Sequence, residues 1–116
     1  MSSNYDTFAS LHVPGDPLVL YNIWDAGSAI AVAAAGARAL ATGSHPVGDA
    51  AGFGDGQKVP IDFVFSNARR IMASVELPLT VDFEGAYSAD PEEGAANVAR
   101  LKDIGAVGCN LSLIHI

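Results

Sequence analysis

Basic residues are scarce in this chain. Six Lys and Arg stand against thirteen Asp and Glu in 116 residues, a formal charge of −7. The six are Arg38, Lys58, Arg69, Arg70, Arg100 and Lys102, scattered with no stripe, which argues against nucleic acid as a partner. Cysteine is almost missing too. Cys109 stands alone and has no internal disulfide partner, and its apolar setting reads as a core thiol rather than a nucleophile. The opening M-S-S-N-Y-D-T has no cationic start followed by an apolar signal core. No run approaches the roughly 18 apolar residues of a membrane span, so a cytoplasmic protein without a membrane partner is the default expectation. Only 16% of residues are charged and half are hydrophobic, which excludes a disordered acidic tail. The length suits one compact domain with a moderate core.

What is present is organised around L-P-L-T-V-D-F-E-G-A-Y-S, Leu77–Ser88. Leu79, Thr80 and Val81 are strand formers, and Pro78 is tolerated only at a strand's start. Asp82 and Glu84 follow at i and i+2, so extended backbone projects both from one face, roughly 7 Å apart at Cα. Gly85 then breaks the strand. Two hard oxygen ligands at a strand end suit a divalent cation such as Mg²⁺, completed by water and substrate oxygens. The plainer reading of a lone D-x-E is two solvated acids opening a loop.

Tyr5–His12 reads as a short helix, followed by a turn at Pro14–Pro17. Leu18–Tyr21 is an apolar run expected to be a buried strand, and Ser28–Ala35 a small-residue helix closed by Gly36. Ala37–Ala41 is the next expected strand. Thr42–Lys58 is rich in Gly, Pro and Asp and reads as a long irregular loop of the kind that carries function. A helix over Asp62–Ser74 follows from the spacing of Phe65, Ala68, Ile71, Met72 and Val75. Asp90-Pro91-Glu92-Glu93 starts a second long helix, which Gly105 ends. Ala106–Leu111 is a fourth strand.

The order β-α-β-α-β-α-β implies parallel βαβ units with right-handed crossovers. All strand C-termini then share one rim, with Asn22, Trp24, Asp25, Thr42, Gly43, Ser44, Asp82, Glu84 and Asn110. Active sites of (β/α)₈ barrels occupy that rim. His12 and His45 read as surface residues, and His115 carries no weight.

Five stretches in this order carry a family resemblance: N-I-W-D-A-G-S-A, A-T-G-S, G-F-G-D-G-Q, P-L-T-V-D-F-E-G-A-Y and G-A-V-G-C-N-L. From about Phe8 to Leu111 the chain resembles the isocitrate lyase/phosphoenolpyruvate mutase superfamily. The resemblance implies an α/β fold, the N-terminal half of a (β/α)₈ TIM barrel, over residues 1–111. It also implies a homo-oligomeric intact protein that binds Mg²⁺ and a small anionic 2-oxo acid or its enol derivative. Asp82 and Glu84 match the family's metal-site acids, and Asp55 its mobile-loop catalytic aspartate. Thr42, Gly43 and Ser44 match the loop that holds substrate oxygens. Trp24 and Asp25 belong to a signature but are assigned no chemical role.

The implied reaction is C–C lyase or, second, phosphonomutase chemistry through an enolate. This stretch alone is expected to be inactive. Three departures stand out. Ala86 replaces a family glycine, which predicts modest loop strain. Ser112 stands where an acid is expected, and Ser112–Ile116 reads as an atypical tail. Strands five to eight are not in this sequence. Two alternatives remain: a non-catalytic half-barrel that folds only with a partner chain, and a flavodoxin-like open sheet with Asp25, Asp55 or Asp82 in an acidic pocket.

Overall fold

The computed structural model describes residues 3–112. Its elements run α1 (Asn4–Ser10), β1 (Asn22–Ile23), α2 (Ala26–Ala34), β2 (Leu40–Thr42), α3 (Ser44–Ala51), α4 (Ile61–Ser74), β3 (Leu79–Asp82), α5 (Pro91–Ile104) and β4 (Gly108–Asn110). The strands form one parallel sheet in the order β1-β2-β3-β4. The α/β fold and the sequential parallel order expected of a barrel's first half are therefore present.

The pairing register sorts the residues into two faces. Leu40 lies beside Leu79, and these join Ile23, Val81 and Phe83 in the core beneath α2, α4 and α5. Phe65, Ala68 and Ile71 of α4 fill that core, as their helical spacing demands. The opposite face carries a row of small residues, Asn22, Ala41, Thr80 and Gly108, with Asp82 beside Asn110 one step further on. On that face a Cβ at Gly108 would meet the Phe8 ring of α1 at 4.0 Å.

Two kinds of difference from expectation appear. The first strand is not Leu18–Tyr21 but the two residues after it, and Val19 and Tyr21 are exposed. The second and fourth strands are also shorter than the apolar runs around them. Ala37 and Ala106 pack on the core from the turns without entering the ladder, so burial outruns pairing.

The second difference is α3. The stretch Thr42–Lys58 is not one long loop, because Ser44–Ala51 is helical. Pro46 sits in the first helical turn, where its missing N–H costs nothing. Gly52 ends the helix in the left-handed conformation (φ +81°). The helix accommodates Gly48 because the packing there demands glycine: a Cβ would collide with the Gly54 carbonyl oxygen. The breakers occupy the positions a helix tolerates or the packing requires.

The caps of α5 agree with the sequence: Asp90 accepts from the Glu92 N–H at 3.2 Å, and Gly105 is left-handed. Asp25, left without a role above, is the N-cap of α2. It accepts from the Ser28 N–H at 2.8 Å, while the Ser28 hydroxyl oxygen accepts from the Asp25 N–H at 3.0 Å. Cys109 is half-buried against the core, and burial pushes its thiol above the ordinary range, as a core thiol requires. No helix among the described residues is long and apolar enough to cross a membrane. Of the tail, residues 113–116 lie outside the described residues.

Two outcomes are expected. Gly48→Ala is destabilising by about 1–3 kcal/mol in urea unfolding, the usual cost of overpacking against fixed backbone. β1 and β4 are each paired on one side only, and such edges template association. The 116-residue chain is therefore expected to self-associate in sedimentation velocity; a monodisperse monomer with a sharp thermal transition is the contrary result.

Candidate active site

Asp82 ends β3 and is half-buried. Two hydrogen bonds with the end of β2 fix it: its backbone N–H donates to Thr42 Oγ1 at 3.1 Å, and its Oδ2 accepts from the Ser44 N–H at 3.1 Å. Gly43 donates its N–H to the Ile23 carbonyl at 3.3 Å and N-caps α3. A Cβ at Gly43 would lie 2.8 Å from Asn22 Nδ2 and 2.9 Å from Pro46 Cγ, so the turn from β2 into α3 needs glycine.

Thr42 and Gly43 thus both serve the strand end, and the Thr42 hydroxyl, which here accepts, keeps its own proton to donate. Ser44 spends its N–H on Asp82 but borders the open cleft.

Glu84 lies past the end of β3 in the left-handed conformation (φ +52°), so the extended backbone expected to project both acids from one face stops at Asp82, and a turn brings Glu84 to the cleft instead. Its Oε1 accepts from the Gln57 N–H at 2.9 Å and its Oε2 from the Tyr87 hydroxyl at 3.2 Å. The Glu84 N–H reaches Asp82 Oδ1 at 3.4 Å. All four carboxylate oxygens of the pair therefore accept one hydrogen bond, and each retains a second lone pair. Ala86 is left-handed (φ +59°) and buried, a conformation that strains a residue with a Cβ, as expected for this loop.

Both acids line an open cleft of about 790 Å³ together with Ser44, Asp55, Gln57 and Ser88. Asp55 borders this cleft, but its Oδ2 faces His45 Nδ1 at 3.7 Å while His45 Nε2 meets Asp49 Oδ2 at 2.9 Å. His45 is a surface residue, as read from the sequence, yet it pairs with the loop acid. Ser112 also borders the cleft, and its N–H donates to the Glu84 carbonyl at 2.7 Å.

Among the described residues no three His, Cys, Asp or Glu side chains gather into a metal cluster. The donor set nevertheless fits Mg²⁺, which takes one or two carboxylates and keeps several waters. It does not fit an all-protein cage. Gln57 and Tyr87 are the site residues that sequence reasoning missed. Both stood inside the quoted stretches G-F-G-D-G-Q and D-F-E-G-A-Y, but neither residue type announced a contact with an acid.

The phosphoenolpyruvate phosphomutase family model matches residues 8–112. The chain belongs to that family. Family relatives include uncharacterized proteins from two strains of Mycobacterium tuberculosis, 35% identical over 99 residues, covering 85% of this chain and 38% of theirs. A solved structure of a candidate phosphonomutase from Burkholderia cenocepacia is 46% identical with a TM-score of 0.86, over 94% of this chain and 43% of that one. A candidate lyase/mutase from the same organism is 29% identical, also at 0.86, over 93% and 38%. The fold is shared further with 2,3-dimethylmalate lyase, a PEP mutase/isocitrate lyase superfamily member, at 20% identity and a TM-score of 0.81, over 96% and 38%. The chain spans less than half the length of each of these relatives.

In this family member the Tyr87 phenol is held well above its ordinary pKa, first by burial, then by the Glu84 charge and its hydrogen bond, and last by Asp82. A raised folded-state pKa contributes stability that is complete below the unfolded value of about 10 and is lost as pH climbs toward the folded value. Alkaline absorbance titration is expected to show a late tyrosine phase that Tyr87→Phe removes. The same variant is expected to flatten the decline in stability above about pH 10.

Proposed function

We propose that the protein carrying this chain is a Mg²⁺-dependent lyase or phosphonomutase-type enzyme acting on a small 2-oxo acid, or its enol derivative, through an enolate. The observation that supports this reading is the pair Asp82 and Glu84. Their carboxylates are preoriented by backbone and hydroxyl donors on the C-terminal rim of a parallel sheet and border an open cleft. Asp82 and Glu84 would hold the cation. When bound, Mg²⁺ would supply Lewis-acid stabilisation of the charge that builds on pyruvate-like oxygens, worth several kcal/mol.

The chain's own residues have separate tasks in this reading. Ser44 offers its hydroxyl at the N-terminal end of α3, whose positive helix end favours a substrate carboxylate. Thr42 and Gly43 keep Asp82 in place behind it. Asp55, on the loop bordering the same cleft, is the acid proposed to approach the reacting group once released from His45. Lyase and mutase chemistry both develop charge on an enolate, so the acid pair serves either.

A second reading, a non-catalytic half-barrel with a partner chain, draws on the apolar groove beside β4, lined by Val98, Leu101, Val107 and Cys109. Mg²⁺-dependent turnover by the 116-residue chain alone would exclude it.

The test is cation binding and product release by the full-length protein after removal of metal, across a panel of 2-hydroxy diacids and phosphonopyruvate-like compounds. Asp82→Asn and Glu84→Gln are each expected to weaken Mg²⁺ binding by roughly 10–100-fold, with activity falling in parallel. Activity that survives chelation unchanged would refute the proposal.

A further inference from the structure

The non-glycine residues with left-handed backbone, among the described residues, are Gln57 (φ +58°), Glu84 (φ +52°), Ala86 (φ +59°) and Tyr87 (φ +59°). Glycine apart, residues rarely adopt this conformation, and they keep it only where their surroundings over-determine it. All four meet in one place. Twenty-seven residues separate Gln57 from Glu84 in sequence, yet hydrogen bonds join the loop to the turn at both ends of the Gln57 residue.

The Gln57 backbone N–H donates to Glu84 Oε1 at 2.9 Å. Its side-chain Oε1 accepts from the Gly85 N–H at 2.6 Å and lies 3.4 Å from the Tyr87 N–H. The approach is close enough that a Cβ on Gly85 would stand 2.8 Å from that oxygen. The far side of the turn is anchored independently, because buried Asn97 donates Nδ2–H to the Ala86 carbonyl at 2.8 Å. The turn is thus clamped between α5 and the loop that carries Asp55.

We propose that Gln57 is a positioning residue: it joins the Asp55-bearing loop and the Glu84–Tyr87 turn into one unit and thereby sets the orientation of the Glu84 carboxylate. The inference deepens the function proposed above and rests on it for the meaning of the acid pair. The physical reason is economy of donors. A turn with three left-handed residues, Glu84, Ala86 and Tyr87, leaves N–H groups that no helix or strand can satisfy, and one amide oxygen accepts from two of the turn's N–H groups. The same residue's N–H holds the acid. Displacing Gln57 frees Glu84 Oε1 and two turn N–H groups together, so the loop and the acid shift together. Only the acceptor end of the side chain is used in these contacts. Glutamate at position 57 therefore keeps the join, whereas methionine, of similar length, loses it.

The test uses the full-length protein, first free of metal, with amide hydrogen exchange read at Gly85, at Tyr87 and across residues 52–58. Mn²⁺ affinity is then read by electron paramagnetic resonance. Gln57→Met is expected to accelerate exchange at the turn and in the loop together by about tenfold, the scale of one or two lost hydrogen bonds, and to weaken Mn²⁺ binding by about as much. Gln57→Glu is expected to restore the slow exchange. Gln57→Gly relaxes the backbone and keeps the N–H donor to Glu84; it guards against a Met variant that fails to fold and should accelerate exchange in the same direction.

Unchanged exchange at Gly85 and Tyr87 overturns the proposal. Faster turn exchange with an unaltered loop and unaltered Mn²⁺ affinity also overturns it, since that marks a local turn cap. If the wild-type protein takes up no Mn²⁺, the metal reading of the acids fails, and the coupled exchange of loop and turn alone decides the role of Gln57.

Discussion

The rim of this fold depends on a reciprocal hydrogen-bond exchange between the ends of β2 and β3. Thr42 Oγ1 accepts the Asp82 N–H, and the Asp82 carboxylate accepts the Ser44 N–H. The exchange does three things at once. It extends the β2–β3 seam past the last ladder pair, it starts α3 against an anion, and it holds a carboxylate inward in a chain whose net charge opposes another negative group. An aimed N–H near a helix N-terminus offsets that repulsion without adding a cation. Six scattered basic residues leave the rim few other ways to do so.

Parallel topology makes the arrangement additive. Each strand runs the same way, so each loop after a strand opens onto the same rim, and residues distant in sequence become neighbours. Small residues, Ala41, Thr80 and Gly108, line the inner face below the acids, whereas Leu40, Leu79, Val81 and Phe83 fill the helix side. Along the end of β3 and the turn after it, core and cleft residues take turns: Val81 and Phe83 are buried in the core, while Asp82 from the strand and Glu84 from the left-handed turn border the cleft.

Legibility from the sequence followed the same division. Apolar runs revealed the existence and order of the strands, and Asp90-Pro91 with Gly105 marked a helix by its caps. Strand limits were not legible, because an alanine buried in a turn looks like an alanine buried in a ladder; Ala37 and Ala106 are such cases. Helix α3 was hidden for a different reason. Pro46 and Gly48 count as breakers by type, but the first turn accepts one and the Gly54 carbonyl demands the other. Asp82 and Glu84 were readable because their spacing is local. Gln57 was not, since its partners lie 27 to 30 residues away and nothing about glutamine signals a left-handed backbone.

The signature stretches also mix two kinds of residue, and physical contacts separate them. In W-D-A-G-S-A the Asp25 carboxylate caps α2 through one bond from the Ser28 N–H, and the Trp24 carbonyl accepts from the Asn67 side-chain amide of α4. In A-T-G-S, Thr42, Gly43 and Ser44 all serve the strand ends: Thr42 accepts from Asp82, Gly43 donates to Ile23, and Ser44 donates to Asp82. In D-F-E-G-A-Y the acids keep lone pairs toward the cleft while the remaining residues hold a strained turn. Asp25 is exposed, stands apart from the cleft, and puts its one bond into the end of α2. Asp82 and Glu84 border the cleft together, with each carboxylate oxygen held by one donor and keeping a lone pair. Pairing and placement on the cleft, rather than membership of a motif, make Asp82 and Glu84, and not Asp25, the proposed chemical centre of the rim.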